Sequence, residues 1–279
     1  MGAAAPSPPE RLAVGLCTVT FRELAPAAVA ELAASAGVEV LEWGGDVHVP
    51  EGDERAARAA AALSADHGLG SSSYGSYLFL DAHLDRRLGV VLDTALELGA
   101  PAVRVWCPPV ADAPGGPAPG DGSDGEGAVA WSALVDAAAH TVAAARDVGL
   151  AVYLEFHGGG ATASAATVVD LLDRVPGLWT GWQVPYWAPR TVAEELADLG
   201  SLAGRLLHVD VYEWDPDGTR RPLADGRADW SSRLRVAAGA SGAARDAGLG
   251  PAAFIEFVPG DDPASLAREV ASLASALDG

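Results

Sequence analysis

Gly149-Leu-Ala-Val-Tyr-Leu-Glu-Phe-His-Gly-Gly-Gly160 is the stretch on which the fold turns. A helix-stopping glycine is followed by a short apolar run, which reads as a buried strand. Glu155 and His157 follow one residue apart, so an extended chain points both to the same side. Three glycines then end the segment. A buried strand finishing in a carboxylate, an imidazole and a flexible turn suits chemistry better than packing. The plainer alternative, an exposed strand end, stays open on this segment alone.

The same pattern repeats outward in both directions. Helices are predicted over Pro26–Ala36, Arg55–His67, Leu84–Leu98 and Val129–Val148, each closed by a glycine (Gly37, Gly68, Gly99, Gly149). Glycine suits a helix end because the left-handed position there carries no Cβ penalty. Strands follow at Val38–Trp43, Leu69–Tyr74 and Ala102–Trp106, and the strand carrying Glu155 follows Gly149. The second half continues with strand Leu178–Gln183, helix Val192–Leu202, strand Leu206–Tyr212, helix Trp230–Ala247, strand Ala252–Val258 and helix Pro263–Leu277. With Leu12–Leu16 at the start, this makes about eight strand–helix units, the count of an α/β (β/α)8 TIM barrel. A doubly wound sheet is the alternative, but no glycine fingerprint follows the first strand. The expected organisation is a flexible tail over 1–10 and one barrel over 11–279. The Pro/Gly-rich segment 108–127 after the fourth strand reads as a surface insertion, with a lid over the site as the second reading.

Composition narrows the function classes. The chain has 279 residues, 49% of them hydrophobic, enough for one large core. A net charge of −20 disfavours nucleic acid and anionic membranes as partners. All 18 basic residues are arginine, which excludes a Schiff-base lysine, an internal pyridoxal lysine and a P-loop. Cys17 and Cys107 fit no metal spacing and suggest free thiols in a reducing, cytoplasmic setting. Neither a signal peptide nor an apolar run of membrane-spanning length is read.

In a barrel, the C-terminal strand ends converge on one mouth. Here they carry Cys17 and Thr18; Glu42, Trp43, Asp46 and His48; Tyr74 and Tyr77; Arg104 and Trp106; Glu155 and His157; Gln183 and Tyr186; His208 and Asp210; and Glu256. Two glutamates, a histidine and an amide oxygen form an oxygen-and-nitrogen donor set. That set suits Mn2+, Mg2+ or Co2+ better than a thiolate-seeking metal.

Glu42-Trp-Gly-Gly-Asp-Val-His48, Leu154-Glu-Phe-His157, His208-Val-Asp-Val-Tyr-Glu213, Gly226-Arg-Ala-Asp-Trp230 and Phe254-Ile-Glu256 occur in an order that resembles one family. It is the sugar phosphate isomerase/epimerase superfamily, the xylose isomerase-like barrels that include ketose 3-epimerases, hydroxypyruvate isomerase and inosose dehydratase. The resemblance runs over nearly the whole chain and rests on the order of the motifs at strand ends. It implies one divalent metal ion with Glu155, His208 and Glu256 as ligands, and either Gln183 as the fourth or water completing a three-residue site. Gln183 stands where the epimerases have an aspartate, which removes one negative charge from the set. The same resemblance implies that Glu155 and Glu256 are the catalytic pair, moving a proton through a metal-stabilised enediolate. His48, Arg104, Trp106, His157, Tyr186, Asp210, Glu213 and Arg220 are the expected substrate-binding residues. Asp210 stands where many relatives have histidine. Arg104 and Arg220 are each read either as holders of a substrate anion or as structural ion-pair partners. The expected partner is a small sugar or related polyol, with self-association into a homo-oligomer left open. A metal-dependent dehydratase and a non-catalytic binding barrel are the alternatives. A related DNA-repair endonuclease is disfavoured, because its zinc cluster needs more histidine than this acidic chain offers.

Overall fold

The computed structural model describes residues 11–112, 128–188, 190–215 and 217–279. In chain order the strands are β1 (Ala13–Cys17), β2 (Val40–Gly44), β3 (Gly70–Phe79), β4 (Ala102–Trp106), β5 (Ala151–Leu154), β6 (Leu178–Trp182), β7 (Leu206–Val211), β8 (Glu213–Trp214), β9 (Arg220–Arg221) and β10 (Ala252–Ile255). All but β8 and β9 close a barrel of eight parallel strands, with β1 pairing both β2 and β10. β8 and β9 form a short antiparallel hairpin beyond β7. The helices are α1 (Pro26–Ala36), α2 (Glu54–Asp66), α3 (Leu84–Leu98), α4 (Trp131–Asp147), α5 (Ala165–Arg174), α6 (Val192–Ser201), α7 (Arg227–Ala240), α8 (Gly242–Asp246) and α9 (Leu266–Leu277). The chain is therefore one (β/α)8 TIM barrel, as the strand–helix pattern predicts.

Local chemistry explains the elements. On α3, Leu84, Leu88, Val91, Leu92, Ala95 and Leu98 fall on one helical face and are buried against the barrel. Gly37, Gly99 and Gly149 take φ values of 88°, 71° and 82°, the left-handed conformation expected where their helices stop. The core is the shell between barrel and helices, filled by Trp43, Trp182, Trp230, Phe156 and many leucines. Inside the barrel, Gly15 makes room for a large neighbour. A Cβ there would lie 2.2 Å from the ring of Phe254.

Some expectations change. The helix predicted over Trp230–Ala247 is two helices, α7 and α8. Ser241 lies between them, its hydroxyl donating back to the carbonyl of Ala237 at 2.8 Å. The strand predicted to reach Val258 stops at Ile255. Helix α5 and the β8–β9 hairpin were not anticipated. The predicted tail, 1–10, lies outside the described residues, as does 113–127 of the predicted insertion. The two sides of that segment are tied together: Val110 bridges Val129, and Asp112 Oδ1 accepts from the Trp131 N–H at 2.7 Å. Among the described residues no helix is long and apolar enough to cross a membrane.

Candidate active site

In a barrel of this stagger, inward side chains of alternate strands share a level. Relative to the hydrogen-bonded register, that level climbs two residues for every second strand. Tyr153 on β5 fixes the lower level. Its hydroxyl lies 3.2 Å from Ser73 Oγ on β3, and its ring packs edge-on against His208 on β7, with centroids 5.0 Å apart. Two residues further along β5 and β7 come Glu155 and Asp210, one level nearer the mouth. The remaining strands interleave Glu42, Arg104 and Phe254 below with Trp106, Gln183 and Glu256 above.

The deeper level is a closed polar network. Glu42 Oε1 accepts from Arg104 Nη1 at 2.7 Å and from Cys17 Sγ at 3.2 Å. Its Oε2 accepts from Ser73 at 2.7 Å and from the Tyr153 hydroxyl. Burial alone would push the Glu42 carboxyl up, but the Arg104 charge and these donors hold it below the usual range. Gly75 leaves the space Glu42 occupies, since a Cβ there would lie 2.9 Å from its Oε1. Arg104, 3% exposed, also places Nε 3.3 Å from Glu155 Oε2 and lies over the Trp106 ring at 5.5 Å.

His208 belongs to this level. Its Nδ1 accepts the Ala252 N–H at 3.2 Å, so the neutral ring carries its proton on Nε2, a buried atom with no partner. The ring is sandwiched between Tyr153 and Phe254, and burial pushes its pKa down to about 4.

The mouth level is different in character. Gln183 Nε2 donates to Glu155 Oε1 at 3.1 Å and to the Phe156 carbonyl at 2.6 Å. Because a carbonyl can only accept, the amide is oriented with Oε1 towards Tyr212, whose hydroxyl stands 2.9 Å away. Asp210 is 8% exposed and makes no hydrogen bond or ion pair with any described residue. Glu256 Oε2 is likewise buried and unpartnered. Burial, and then the neighbouring carboxylate charge, raises the pKa of Glu256 to about 8. Burial, opposed by Arg104, brings Glu155 to about 7. Asp210 is pushed well up by burial and by the charges of Glu256 and Glu155. Buried carboxylates without donors or counter-cations are costly to keep charged.

The free donors at this mouth are hard carboxylate oxygens, the donor type that Mg2+ and Mn2+ take. Among the described residues, no three His, Cys, Asp or Glu side chains are gathered into a preformed metal cage. The donor chemistry is in place and the closed shell is not.

The same groups set a pH dependence for the metal-free protein. His208 is held neutral in the fold, so its contribution is lost as pH falls from 6.5 towards about 4. Glu155 and Glu256 retain protons that an unfolded chain releases near 4.5, so their contribution is lost as pH rises towards about 7 and about 8. The effects oppose one another up to pH 6.5; above it only the carboxylates act. In chelator, stability should therefore fall by a few kcal/mol between pH 6.5 and 8. Mg2+ or Mn2+ should remove most of that fall, because the cation favours the deprotonated carboxylates. Thermal unfolding at the two pH values, with and without metal, checks this; a flat metal-free profile would refute the carboxylate assignment.

Other expected residues divide into two groups. Trp106, His157 and Tyr186 gather at the rim. The Tyr186 hydroxyl is 2.8 Å from His157 Nε2, and the His157 ring lies 5.2 Å from Trp106. Tyr212, Trp214 and Phe257 extend this aromatic wall, while Tyr186 stays 45% exposed. Arg220 pairs with Asp261 over the face of Phe257 and lines a cavity of about 290 Å3 with Arg22 and Thr20. His48 is buried beside the loops after β1 and β2. Its Nε2 donates to the Leu24 carbonyl at 3.1 Å and its Nδ1 faces the Thr18 hydroxyl at 2.9 Å, so both nitrogens tie loops together. Glu213 accepts from Trp230 Nε1 at 3.1 Å and lines a cavity of about 380 Å3 beside Tyr186 and Tyr212. Arg104 is ion-paired with Glu42 and Glu155, the structural role the sequence left open for it. Sequence reasoning missed Tyr153, Ser73 and Tyr212. Strand alternation from Glu155 back to Tyr153 was the available signal for the first.

No protein-family model matches the sequence, and no curated protein matches it. Solved structures do. A probable 3-DHS dehydratase from Bacillus anthracis is 14% identical over 94% of this chain and 99% of its own, with a TM-score of 0.71. A D-allulose 3-epimerase from Methylomonas sp. is 16% identical over 96% of this chain and 98% of its own, with a TM-score of 0.62. A xylose isomerase-like TIM barrel protein from Mycobacterium smegmatis, in complex with magnesium, is 14% identical over 95% of this chain and 98% of its own, with a TM-score of 0.62. The chain thus has the xylose isomerase-like barrel fold, as the motif order implies. Its structural neighbours include a dehydratase and an epimerase.

Proposed function

We propose that the protein is a divalent-metal-dependent isomerase of sugars or sugar phosphates, either a ketose epimerase or an aldose–ketose isomerase. The observation that carries this is the pair Glu155 and Glu256: two carboxyls at one barrel mouth, with pKa values raised to about 7 and about 8. Groups that titrate near neutral pH can both take and return a proton. A bound divalent cation supplies the Lewis acidity that makes the proton beside a carbonyl removable. Glu155, steadied by the Gln183 amide and the Arg104 guanidinium, removes the proton. Glu256 delivers it to the opposite face, inverting the centre, or to the adjacent carbon, moving the carbonyl. Trp106, His157, Tyr186 and Tyr212 form an aromatic wall that excludes water and packs against a sugar face.

The likeness to a probable dehydratase supports a second reading, in which the same proton removal is followed by loss of a neighbouring hydroxyl. A binding barrel has less support, because unpartnered buried carboxylates cost stability and serve no purpose without a cation or a proton to move. On the main reading the partner is a small polyol, the site of action is the cytoplasm, and the net charge of −20 keeps nucleic acid away.

A panel of free and phosphorylated ketoses in D2O with Mn2+, Mg2+ or Co2+ tests the proposal. Metal-dependent loss of the proton beside the carbonyl, followed by NMR, is expected. Conjugated, ultraviolet-absorbing product would select the dehydratase. Neither exchange nor elimination with any member of the panel would end the enzymatic reading.

A further inference from the structure

We propose that the cavity of about 380 Å3 beside Tyr186 and Tyr212 holds a second sugar ring, so that the substrate is a glycosylated ketose and not a single sugar. That this ring is joined to the reacting sugar rests on the isomerase reading above; the chemistry of the cavity itself does not.

The cavity adjoins the mouth without sharing its carboxylates. Its wall is Tyr186, Tyr212 and Trp214. Two of these residues also touch the mouth. The Tyr186 hydroxyl is 2.8 Å from His157 Nε2, and the Tyr212 hydroxyl is 2.9 Å from Gln183 Oε1. A single side chain thus separates a ring in the cavity from a sugar at the mouth. Tyr186 is exposed, so the link between the two rings passes over the rim there and not through the wall.

The floor is a buried ion pair with bonding capacity to spare. Glu195 of α6 and Arg233 of α7 line the cavity and are 4% and 7% exposed. Arg233 Nε donates to Glu195 Oε2 at 2.8 Å, and Arg233 Nη2 lies 2.6 Å from the same oxygen. Glu195 Oε1 and Arg233 Nη1 make no hydrogen bond with any described residue, and neither atom is sealed from solvent. Burying such a pair carries a desolvation cost that is offset only when its remaining lone pairs and N–H groups are satisfied too. A free acceptor beside a free donor is the complement of a hydroxyl, which gives a proton to one and accepts from the other.

Glu213 adds a second acceptor. Its Oε2 is held by Trp230 Nε1 at 3.1 Å, and its Oε1 makes no hydrogen bond with any described residue. The Gly226-Arg-Ala-Asp-Trp230 run builds this arrangement. A Cβ at Gly226 would lie 1.9 Å from Glu213 Oε2, and the Trp230 ring carries the Arg233 guanidinium at 4.9 Å. The other charges on the lining are committed elsewhere, Arg190 to Asp198 at 2.7 Å and Asp215 to Arg221 at 3.8 Å. With Glu195 and Arg233 cancelling, no surplus cation is left for a phosphate or a carboxylate. Aromatic faces around a few convergent polar atoms suit a neutral ring with C–H faces and hydroxyl edges.

Binding tests this without reference to turnover. Titration calorimetry of the unmodified protein with Mn2+ present compares D-fructose with isomaltulose, a glucosyl-fructose whose ketose carbonyl is free. Isomaltulose should bind at least about tenfold tighter, the lower end of what hydrogen bonds to charged groups contribute. Glu195→Gln combined with Arg233→Met should bring isomaltulose down to the level of fructose. Trp214→Ala changes only the wall, and should reduce the gain even if the double variant fails to fold. Saturation-transfer NMR with methyl α-D-glucopyranoside, which has no carbonyl to isomerise, should show transfer to the glucoside that Trp214→Ala weakens. Equal affinity for the two sugars, or a gain that survives both variants, would overturn the assignment. Tighter binding of choline than of the glucoside would overturn it too, as the mark of a cation pocket. Glucoside binding with no proton exchange from any ketose would keep the sugar cavity and remove the isomerase reading.

Discussion

Arg104→Met should be among the most destabilising single substitutions in the chain. Among the described residues Arg104 is the only cation within ion-pairing distance of Glu42, at 2.7 Å, and both side chains are almost wholly buried. Removing one partner of such a pair strands the other charge, at a cost of about 3–5 kcal/mol. In a domain of this size that is a fall in Tm on the order of 10 °C. The loss comes from the stranded carboxylate more than from the missing attraction. Glu42→Gln with Arg104→Met should therefore recover more than half of it, since Ser73 and Tyr153 can still donate to the amide oxygen. Thermal and denaturant unfolding of the single and double variants measure this. A single variant as stable as the parent would mean that Glu42 is neutral in the fold. The same substitution removes the charge that lowers the Glu155 pKa. Proton exchange by a surviving Arg104→Met protein should accordingly need a higher pH to reach its plateau.

The sequence made the barrel legible because helix and strand differ in period and because glycine marks the ends of the first four helices. Helix α3 and strand β4 match their expected bounds residue for residue. Helix α5 was missed because Gly158–Gly160 and the Ala/Ser/Thr run after them read as loop. Its own signal was present: Ser164 caps Thr167 N, and Val168, Leu171 and Leu172 recur at helical spacing. The β8–β9 hairpin has two residues per strand, too few for any period to show.

The site was legible in kind but not in depth. Alternation along β7 puts both His208 and Asp210 inside the barrel. Their levels depend on strand tilt and register, which are properties of the closed sheet and not of one strand. Family resemblance favoured the histidine, and no sequence pattern shows that its Nδ1 accepts the Ala252 N–H while Nε2 is left without a partner. His48 shows the same limit. Nothing in Asp-Val-His48 announces that both ring nitrogens will be taken by loop atoms.

Glu155→Gln and Glu256→Gln should each lower net conversion of substrate by about 10²–10⁴-fold, the range for losing a positioned acid or base. Their exchange patterns should differ, and that difference carries the mechanistic content. If Glu155 and Glu256 serve opposite faces of one carbon, each variant keeps the base for one epimer and loses it for the other. Glu256→Gln should then wash deuterium into the epimer handled by Glu155 while forming almost none of its partner. Glu155→Gln should show the reverse. Because both residues are also proposed ligands, Mn2+ affinity must be measured in each variant and exchange compared at saturating metal. The glutamines keep size and polarity, so a folded barrel is expected, and Tm reports on it directly. Net conversion within tenfold of the parent in either variant, at saturating metal, would remove that residue from the proton path. Equal loss of exchange from both epimers in both variants would instead point to a single proton-transfer step that needs the two carboxyls together, as expected if one shares its proton with the other across the mouth.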